Sequence, residues 1–414
     1  MDTKSLLTLE LPLVLERLAY HCDFFASREL ALQLQPTPEL PEAKRRQRET
    51  AQARRLLEDH PQASIGAARD VRALAERAAR SALLTPAELL EIRNTLLAAR
   101  ALKRVVLGAG EQFELLRGHA ENMHELPELE KAIARALDER GEVLDTASAH
   151  LADIRRELGE THERLMQKLE RLIQNPRNAE FLQEALITQR GDRYVVPLKA
   201  NFKGRIRGIV HDKSTSGATL FIEPLGTLDL NNRWRELQLT ERDEVERVLR
   251  ALCGHVGAKT EEITRNVEAL AALDLAFARA RYAEALQASE PELLQIPADT
   301  EAGGRGCPIR LQTARHPLLP PEAVVPIDFE IDAATTVVVI TGPNTGGKTV
   351  TLKTVGLLAL MAACGLQLPV QPGAALPLFS GVFADIGDEQ SIEQSLSTFS
   401  SHIGNITRML AAVD

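Results

Sequence analysis

Apolar residues recur with a helical period along residues 5–175, with breaks at proline- and glycine-containing segments. Positions three or four residues apart lie on one face of an amphipathic helix. The last helix of this region is predicted to be long, with Asp145 as its N-cap and Asn175-Pro176 as its stop. Its apolar residues recur about every 3.5 positions, at Leu151, Ile154, Leu158, Leu165, Leu169 and Leu172. The pattern therefore predicts several ordinary helices and then one arm of a helical lever.

The periodicity changes between residues 185 and 224, where short β-rich runs alternate with turn signals. The runs cover residues 186–189, 194–202, 206–210 and 219–222, separated by turns at Gly191, Gly204 and Gly217. In the second run, alternate residues are apolar and fall on one face of a strand, while basic residues fall on the other. We expect a small antiparallel meander in this segment.

Helical period resumes at residues 228–252 and 260–286, so long helices flank the β element. A β element at the tip of paired helices suits contact with a distant partner. The stretch 291–307 is rich in proline and glycine and is interpreted as a linker. We predict a helical core at 1–144, lever helices at 145–257 with their β tip at 185–224, a connecting helix at 258–294, and a last domain at 295–414.

The last domain opens with a strand prediction and a glycine-rich motif. Residues 335–341 (TTVVVIT) are predicted to form a buried strand, and residues 342–349 (GPNTGGKT) satisfy G-x-x-x-x-G-K-[ST] in full. Glycines let backbone N–H groups converge on phosphate oxygens, and the helix predicted at 350–364 adds its positive dipole end. The predicted nucleotide-binding residues are Gly342, Pro343, Asn344, Thr345, Gly346, Gly347, Lys348 and Thr349. Lys348 is expected to bridge the terminal phosphates and Thr349 to ligate Mg²⁺.

A nucleoside triphosphatase also needs an apolar strand that ends in acidic residues, which hold Mg²⁺ and orient water. The segment 382–385 (VFAD) is too short for this strand, and no other run between Gly365 and Asp414 fits. We therefore expect the catalytic carboxylates to lie beyond Asp414. The prediction for these 414 residues is nucleotide binding without appreciable hydrolysis.

The composition of the chain excludes several classes of protein. The 414 residues contain 49 Lys plus Arg and 58 Asp plus Glu, a net charge of −9, and 44% are hydrophobic, which excludes wholesale disorder. Only 4% are aromatic, which argues against a base-stacking platform. The 4 cysteines lie far apart in the sequence. This spacing argues against both a disulfide framework and a zinc site. Because no apolar run approaches the length of a membrane span, we expect a cytoplasmic protein without membrane partners.

The predicted β tip has the opposite charge from the rest of the chain. Between residues 190 and 213 there are 7 basic and 2 acidic residues, a local charge of +5. Lysine and arginine bind a phosphate backbone by releasing counterions, although strand edges also carry lysines to prevent aggregation. The predicted nucleic-acid-binding residues are Arg193, Lys199, Lys203, Arg205, Arg207 and Lys213. These residues do not distinguish DNA from ribosomal RNA.

Several longer motifs resemble those of the MutS family of ATPases. They are TGPNTGGKTVTLKTVGL at 341–357, ADIGDEQSIEQSLSTFSSH at 384–402 and ARHPLL at 314–319, and HDKSTSGATLFIEP at 211–224 is similar to the bacterial MutS-two branch. The resemblance implies ATP and Mg²⁺ as cofactors and an ABC-type nucleotide domain that works as a homodimer. The resulting fold class is multidomain α plus α/β: a helical core and lever helices with a small antiparallel β element, then a partial ABC-type P-loop ATPase domain.

The resemblance also assigns individual residues. Ser397 and Thr398 match the family signature that contacts the γ-phosphate held by the other subunit, and Asn344 matches the asparagine of the phosphate loop. Val324 falls where the adenine-contacting residue of mismatch-repair members lies. His402 stands where those members carry an acidic residue.

Two functions follow from the resemblance. The first is an ATP-dependent dimeric clamp that acts on branched or recombination-intermediate DNA and suppresses recombination, with an endonuclease domain further along the full-length protein. The alternative is a ribosome quality-control ATPase that binds rRNA and splits stalled or collided ribosomes. Mismatch reading is not implied, because the Phe-x-Glu at residues 221–223 lies inside the predicted β element.

Overall fold

A computed structural model describes residues 2–296, 308–343, 347–386 and 395–411, with the backbone alone described at 395–402. The contacts divide the chain into two compact units. Unit 1 comprises Met1–Arg72, Asn94–Glu125 and Glu261–Asp414, and unit 2 comprises Ala73–Arg93 and Leu126–Thr260. This division cuts across the domain ranges inferred above, which stay a prediction.

Helices make up most of the described chain, as the abundance of alanine, leucine, arginine and glutamate predicts. In chain order the α-helices are α1 Thr3–Thr8, α2 Leu11–Tyr20, α3 Phe25–Leu32, α4 Leu40–Asp59, α5 Arg72–Ala79, α6 Pro86–Gly108, α7 Glu114–Glu121, α8 Pro127–Ala136, α9 Ala149–Ile173, α10 Pro176–Ala179, α11 Leu228–Gly257, α12 Thr260–Ala285, α13 Lys348–Ala363 and α14 Ser395–Ala411. The strands are β1 Thr188–Arg190, β2 Arg193–Lys199, β3 Gly208–Lys213, β4 Thr219–Pro224, β5 Glu292–Leu294, β6 Ile309–Ala314, β7 Ile327–Ile331 and β8 Ala375–Pro377.

Unit 1 is built around α13, whose apolar residues join one core with the N-terminal helices. This core contains Leu9, Leu18, Leu357, Met361 and Leu366, among others. A four-stranded sheet of order β5-β8-β6-β7 lies in the same unit, with β5 parallel to β8 and the other pairs antiparallel. The residues that follow α13 in sequence therefore pack against residues from the first tenth of the chain.

Unit 2 contains the long helices α9 and α11, which run antiparallel. Arg155 of α9 lies 2.7 Å from Glu241 of α11, and Arg233 lies 2.7 Å from Glu157, so the two helices pair in opposite directions. Ser148 caps α9 by accepting a hydrogen bond from the Leu151 N–H. The expected N-cap Asp145 was wrong, because this residue begins a separate 3₁₀ turn that precedes the helix. The predicted stop is confirmed, since α9 ends at Ile173 and Pro176 begins α10.

The β element is antiparallel as predicted, but it is not a meander. Its order is β1-β2-β4-β3, so β4 lies between β2 and β3. The physical reason is burial: Leu220 and Ile222 of β4 join the core with Val196 and Leu198 of β2, whereas β3 is exposed at every position. The apolar face predicted for residues 194–202 is confirmed, and it packs on α9.

The predicted buried strand at residues 335–341 is contradicted. These residues belong to neither four-stranded sheet, and the side chains of Val337 and Val339 are 75% and 77% exposed. A β-branched run forms a strand only where a neighbouring strand accepts its backbone hydrogen bonds. No strand within the described ranges pairs with this run, so it forms no strand, and most of its residues are exposed.

Candidate functional site

The glycine-rich motif leads directly into α13, as the sequence predicts. Gly347 is the N-cap residue and has φ +78°, a left-handed conformation that favours glycine. Lys348 and Thr349 form the first turn of the helix, and Nζ of Lys348 lies 2.5 Å from the carbonyl oxygen of Gly342. The ammonium group of Lys348 therefore lies beside Gly342, the first glycine of the motif.

This helix terminus suits a phosphate group. The first N–H groups of an α-helix have no intrahelical partner, and the helix dipole favours an anion there. Gly342, Gly347 and Thr349 are exposed, and a Cβ added at either glycine would meet no other atom within 4 Å. The lysine ammonium adds a positive charge, and the threonine hydroxyl is an oxygen ligand of the kind that Mg²⁺ prefers. The described residues thus fit a magnesium–nucleotide phosphate.

Residues at the junction of α1 and α2 contact the middle of α13. Nζ of Lys353 lies 3.0 Å from Oε1 of Glu10, and a Cβ at Gly356 would come within 2.9 Å of the Leu9 side chain. Glycine at this position lets α1 and α2 approach α13 closely. Sequence reasoning missed this arrangement, since the contacting residues are more than 300 positions apart.

Val324 lines a small cavity in unit 1. Its other lining residues include Gln287, Arg315, His316 and Pro369. The volume is about 110 Å³, below the roughly 300–1,000 Å³ of whole-ligand pockets, so it has room for only part of a nucleotide. Burial lowers the pKa of His316, which favours a neutral imidazole here.

Arg17 holds the segment that carries His316. Its Nη1 donates to the Pro317 carbonyl at 2.7 Å and its Nη2 donates to the Leu318 carbonyl at 2.9 Å. These carbonyls belong to the ARHPLL motif, so a residue of α2 fixes one wall of the Val324 cavity. The sequence offers no local signal for this role, because Arg17 resembles any exposed arginine on a helix.

Other predicted site residues fall outside the structural description. Asn344, Thr345 and Gly346 lie outside the described residues. Ser397, Thr398 and His402 lie in α14, with their backbone described and their side chains outside the description. Their assigned roles stay predictions.

The basic residues of the β tip, defined as residues 185–224, divide into two groups. In the first group, Arg193 donates from Nη1 to both carboxylate oxygens of Glu223, at 2.9 and 3.1 Å, and from Nη2 to Asn232. Nε2 of His211 also lies 2.6 Å from Glu223, whose side chain is fully buried. Arg193 is therefore held in a network with these residues.

Arg190 and Lys199 also have partners within the protein. The guanidinium of Arg190 lies 3.2 Å from Asp212 and 4.2 Å above the ring of Phe221. Nζ of Lys199 donates to the carbonyl of Glu180 at 2.9 Å. These contacts occupy both cations but leave the +5 unchanged, because Asp212 is already included in that count and a carbonyl carries no charge.

The second group consists of exposed cations without an ion pair among the described residues. They are Lys203, Arg205, Arg207 and Lys213. Three of them lie in the loop between β2 and β3, and the fourth ends β3, the exposed edge strand. We call Lys203, Arg205, Arg207 and Lys213 the free cation group.

Side chains of the two long helices hold the β tip through contacts that the sequence did not reveal. Asn231 of α11 is fully buried, accepts from the N–H of Tyr194 and donates to its carbonyl, each at 3.1 Å. The rings of Tyr194, His162 and Trp234 pack together, with centroids 5.0 to 5.9 Å apart. The tip is therefore fixed to both long helices of unit 2.

Among the described residues, no group of three or more His, Cys, Asp or Glu side chains is arranged to hold a metal ion. A search of the same residues for a helix long and apolar enough to cross a bilayer found none.

Comparisons with known proteins agree with the motifs. Residues 338–414 match the MutS domain V family. The chain is similar to "Endonuclease MutS2" of Thermomicrobium roseum, with 46% identity over 418 residues that cover 100% of this chain and 52% of that protein. It is also similar to "Endonuclease MutS2" of Geobacillus kaustophilus, at 46% identity over 417 residues, and to "Putative endonuclease MutS2" of Bacillus subtilis, at 42% identity over 417 residues, each covering 100% of this chain and 52% of the relative. The chain spans about half the length of the curated relatives it matches.

Proposed function

Because the chain belongs to the MutS family, and within it to the branch of the MutS2 proteins, we propose that it binds ATP with Mg²⁺ and contacts nucleic acid through its β tip. The observation that carries the nucleotide half of this proposal is the complete phosphate-loop motif at the exposed N-terminus of α13. Lys348 is assigned to the terminal phosphates and Thr349 to the metal. Val324 is assigned to the adenine base.

The free cation group supports the nucleic-acid half of the proposal. Four exposed positive charges on one loop and one edge strand favour a polyanion, in a chain whose net charge is −9. Arg193 is assigned a structural role, because its guanidinium is held by Glu223 and Asn232. Lys199 keeps an exposed ammonium and is retained as a secondary contact.

For the whole protein we propose an ATP-gated homodimeric clamp on branched or recombination-intermediate DNA that suppresses recombination. Ser397 and Thr398 are assigned to the γ-phosphate bound by the other subunit, so that contact requires an intact triphosphate. We also propose an endonuclease activity for the whole protein, because its relatives are named as endonucleases. Mismatch reading is not proposed, because Glu223 of the Phe-x-Glu sequence is buried beneath Arg193 and His211.

The experiment that tests the nucleic-acid contact is equilibrium binding across a salt series. The ligands are four-way junction DNA, linear duplex DNA and purified ribosomes. The variant replaces the free cation group by glutamine at all four positions. Each lost phosphate contact is expected to reduce the slope of log K against log salt by about 0.9 on duplex DNA.

The matched control removes the same amount of charge from exposed positions of α9 and α11. It carries the substitutions Arg164→Gln, Lys168→Gln, Arg171→Gln and Arg250→Gln, and its salt slope is expected to match the unmodified protein. Equal slopes for both quadruple variants would overturn the proposed surface. Salt-resistant binding to ribosomes alone would replace the DNA clamp by the ribosome quality-control function, since phosphate contacts do not distinguish the two polymers.

A further inference from the structure

The C-terminal end of α13 is bound by a side chain of α4. Nε2 of Gln47 donates to the carbonyl of Ala362 at 3.0 Å and to the carbonyl of Leu366 at 2.9 Å. The last carbonyls of a helix have no intrahelical partner and must find a donor elsewhere. The Ala362 carbonyl also accepts from the Gly365 N–H at 3.0 Å, so Gln47, which is 2% exposed, adds one donor to the last turn of α13 and one to the chain just beyond it. The end of α13 is thus fixed by a buried amide.

One turn further along α4, Thr50 makes a second contact of the same kind. Its fully buried hydroxyl lies 2.8 Å from the carbonyl oxygen of Gly365. Gly365 has φ +79°, and a Cβ there would lie 2.4 Å from Cβ of Arg46. Glycine is needed at this position both for the left-handed turn and for the close approach of α4.

The opposite end of α13 has few contacts of this kind. Its buried residues begin at Thr354, whereas residues 348–353 are exposed or half-buried. A helix of 16 residues is about 24 Å long. Lys353, which pairs with Glu10, and Gly356, which lies against Leu9, hold the middle of the helix, and Gln47 and Thr50 hold its C-terminal end.

The residues that Gln47 and Thr50 contact at the end of α13 also lead to the Val324 cavity. After Leu366 the chain continues to Pro369, which lines that cavity and whose carbonyl accepts from the Arg315 N–H at 3.0 Å. Leu368 exchanges backbone hydrogen bonds with Ser289 on the other side. Residues 362–369 thus connect the helix of the phosphate loop to the wall of the cavity assigned to the base.

We propose that Gln47 and Thr50 are positioning residues that fix the distance between the phosphate loop and the Val324 cavity. This inference rests on the proposed nucleotide binding. A ligand that occupies both places gains affinity only when their spacing matches its own length, because preorganised sites avoid the cost of adjustment. A ligand that occupies the phosphate loop alone is insensitive to the spacing.

The test compares Mg²⁺–ATP with Mg²⁺–tripolyphosphate, which carries the phosphates without the base. The variants are Gln47→Met, which keeps the side-chain length and removes the donors, and Thr50→Val, which removes the hydroxyl. We expect ATP affinity to fall about tenfold in each variant, while tripolyphosphate affinity stays unchanged. Thr50→Ser keeps the hydroxyl and is expected to restore ATP affinity.

Gln52→Met is the matched control on the same helix. Gln52 accepts from the Leu115 N–H at 3.0 Å, so this substitution removes a contact of α4 that does not involve α13. Its ATP affinity should match that of the unmodified chain at a similar melting temperature. Unchanged ATP affinity in Gln47→Met and Thr50→Val, or parallel losses for both ligands, would overturn the positioning role. If the unmodified chain binds neither ligand, nucleotide binding itself fails, and the inference fails with it.

Discussion

Arg193 and Glu223 form an ion pair across β2 and β4 in which one guanidinium nitrogen lies within 3.1 Å of both carboxylate oxygens. The arginine side chain is 26% exposed and the glutamate is fully buried. Removing one partner of such a pair leaves a buried charge without compensation. The pair therefore connects the sheet of the β tip, and Nη2 of Arg193 extends it to Asn232.

Replacement of Arg193 by methionine is expected to destabilise the β tip without removing a nucleic-acid contact. Loss of a partner from a buried polar group costs about 1–3 kcal/mol, and the partial exposure of Arg193 places the value in the lower part of this range. Urea unfolding can be followed by the fluorescence of Trp234, which is the single tryptophan of the chain and packs on Tyr194.

The control for this prediction is Arg164→Met, which breaks an exposed pair with Glu160 on α9. Its effect should stay below about 0.5 kcal/mol. A normal unfolding curve for Arg193→Met together with a reduced salt slope would show instead that Arg193 touches phosphate.

Replacement of Lys348 by alanine is expected to weaken ATP binding about 10- to 100-fold, because hydrogen bonds to charged groups contribute about 1.5–3 kcal/mol. Titration calorimetry with Mg²⁺–ATP provides the measurement. Lys353→Ala removes another lysine from α13, one that pairs with Glu10, and should leave the affinity close to that of the unmodified chain. Equal losses in both variants would indicate damage to the helix rather than to the phosphate contact.

Steady-state ATP hydrolysis by these 414 residues is expected to be negligible. In the described ranges after α13, β8 is followed by Leu378, and Asp385 accepts a hydrogen bond from Asn405 and lies outside any strand. No carboxylate in those ranges ends a strand beside the phosphate loop, where it would hold Mg²⁺ and orient water. A phosphate-release assay is the measurement, and a turnover that Lys348→Ala abolishes would contradict the prediction.

Acid is expected to weaken the hydrogen bond from Ser148, the N-cap residue of α9, to Glu244. Hydrogen bonds from Arg247 and from Ser148 lower the pKa of Glu244 to about 2, whereas an unfolded glutamate titrates near about 4.3. The folded-state pKa is the lower one, so the stabilisation is complete above about pH 4.3 and is lost as the pH falls toward 2. The unfolding free energy measured between pH 6 and pH 3 should fall less steeply in Glu244→Gln. Identical pH profiles would count against the contact.

The nucleotide motif and the helix after it could be predicted because their signals are local. The glycines, the lysine and the apolar residues of α13 lie within one short stretch of sequence, and Gly365 ends the helix as expected. The strand predicted at residues 335–341 failed for the complementary reason. Its β-branched composition is local, but a strand also requires a neighbour that no local pattern supplies.

Side-chain partners were the least predictable part of the candidate site. Arg193 and Arg205 are the same residue type in the same basic segment, yet Arg193 pairs with Glu223 and Arg205 stays exposed. The difference depends on the order of strands, which places β4 beside β2. The contacts of Gln47 with Ala362 and Leu366 join residues more than 300 positions apart, so only the folded chain reveals them.

The exposed run at residues 335–341 has an expected consequence for this polypeptide in concentrated solution. All seven of its residues are uncharged and β-branched, and it contains neither proline nor glycine. Segments of this composition stack between molecules as cross-β ladders when their backbone is accessible. We therefore expect strand pairing between copies at Val337 and Val339 to limit colloidal stability, and the repulsion from a net charge of −9 to oppose this pairing mainly in low salt.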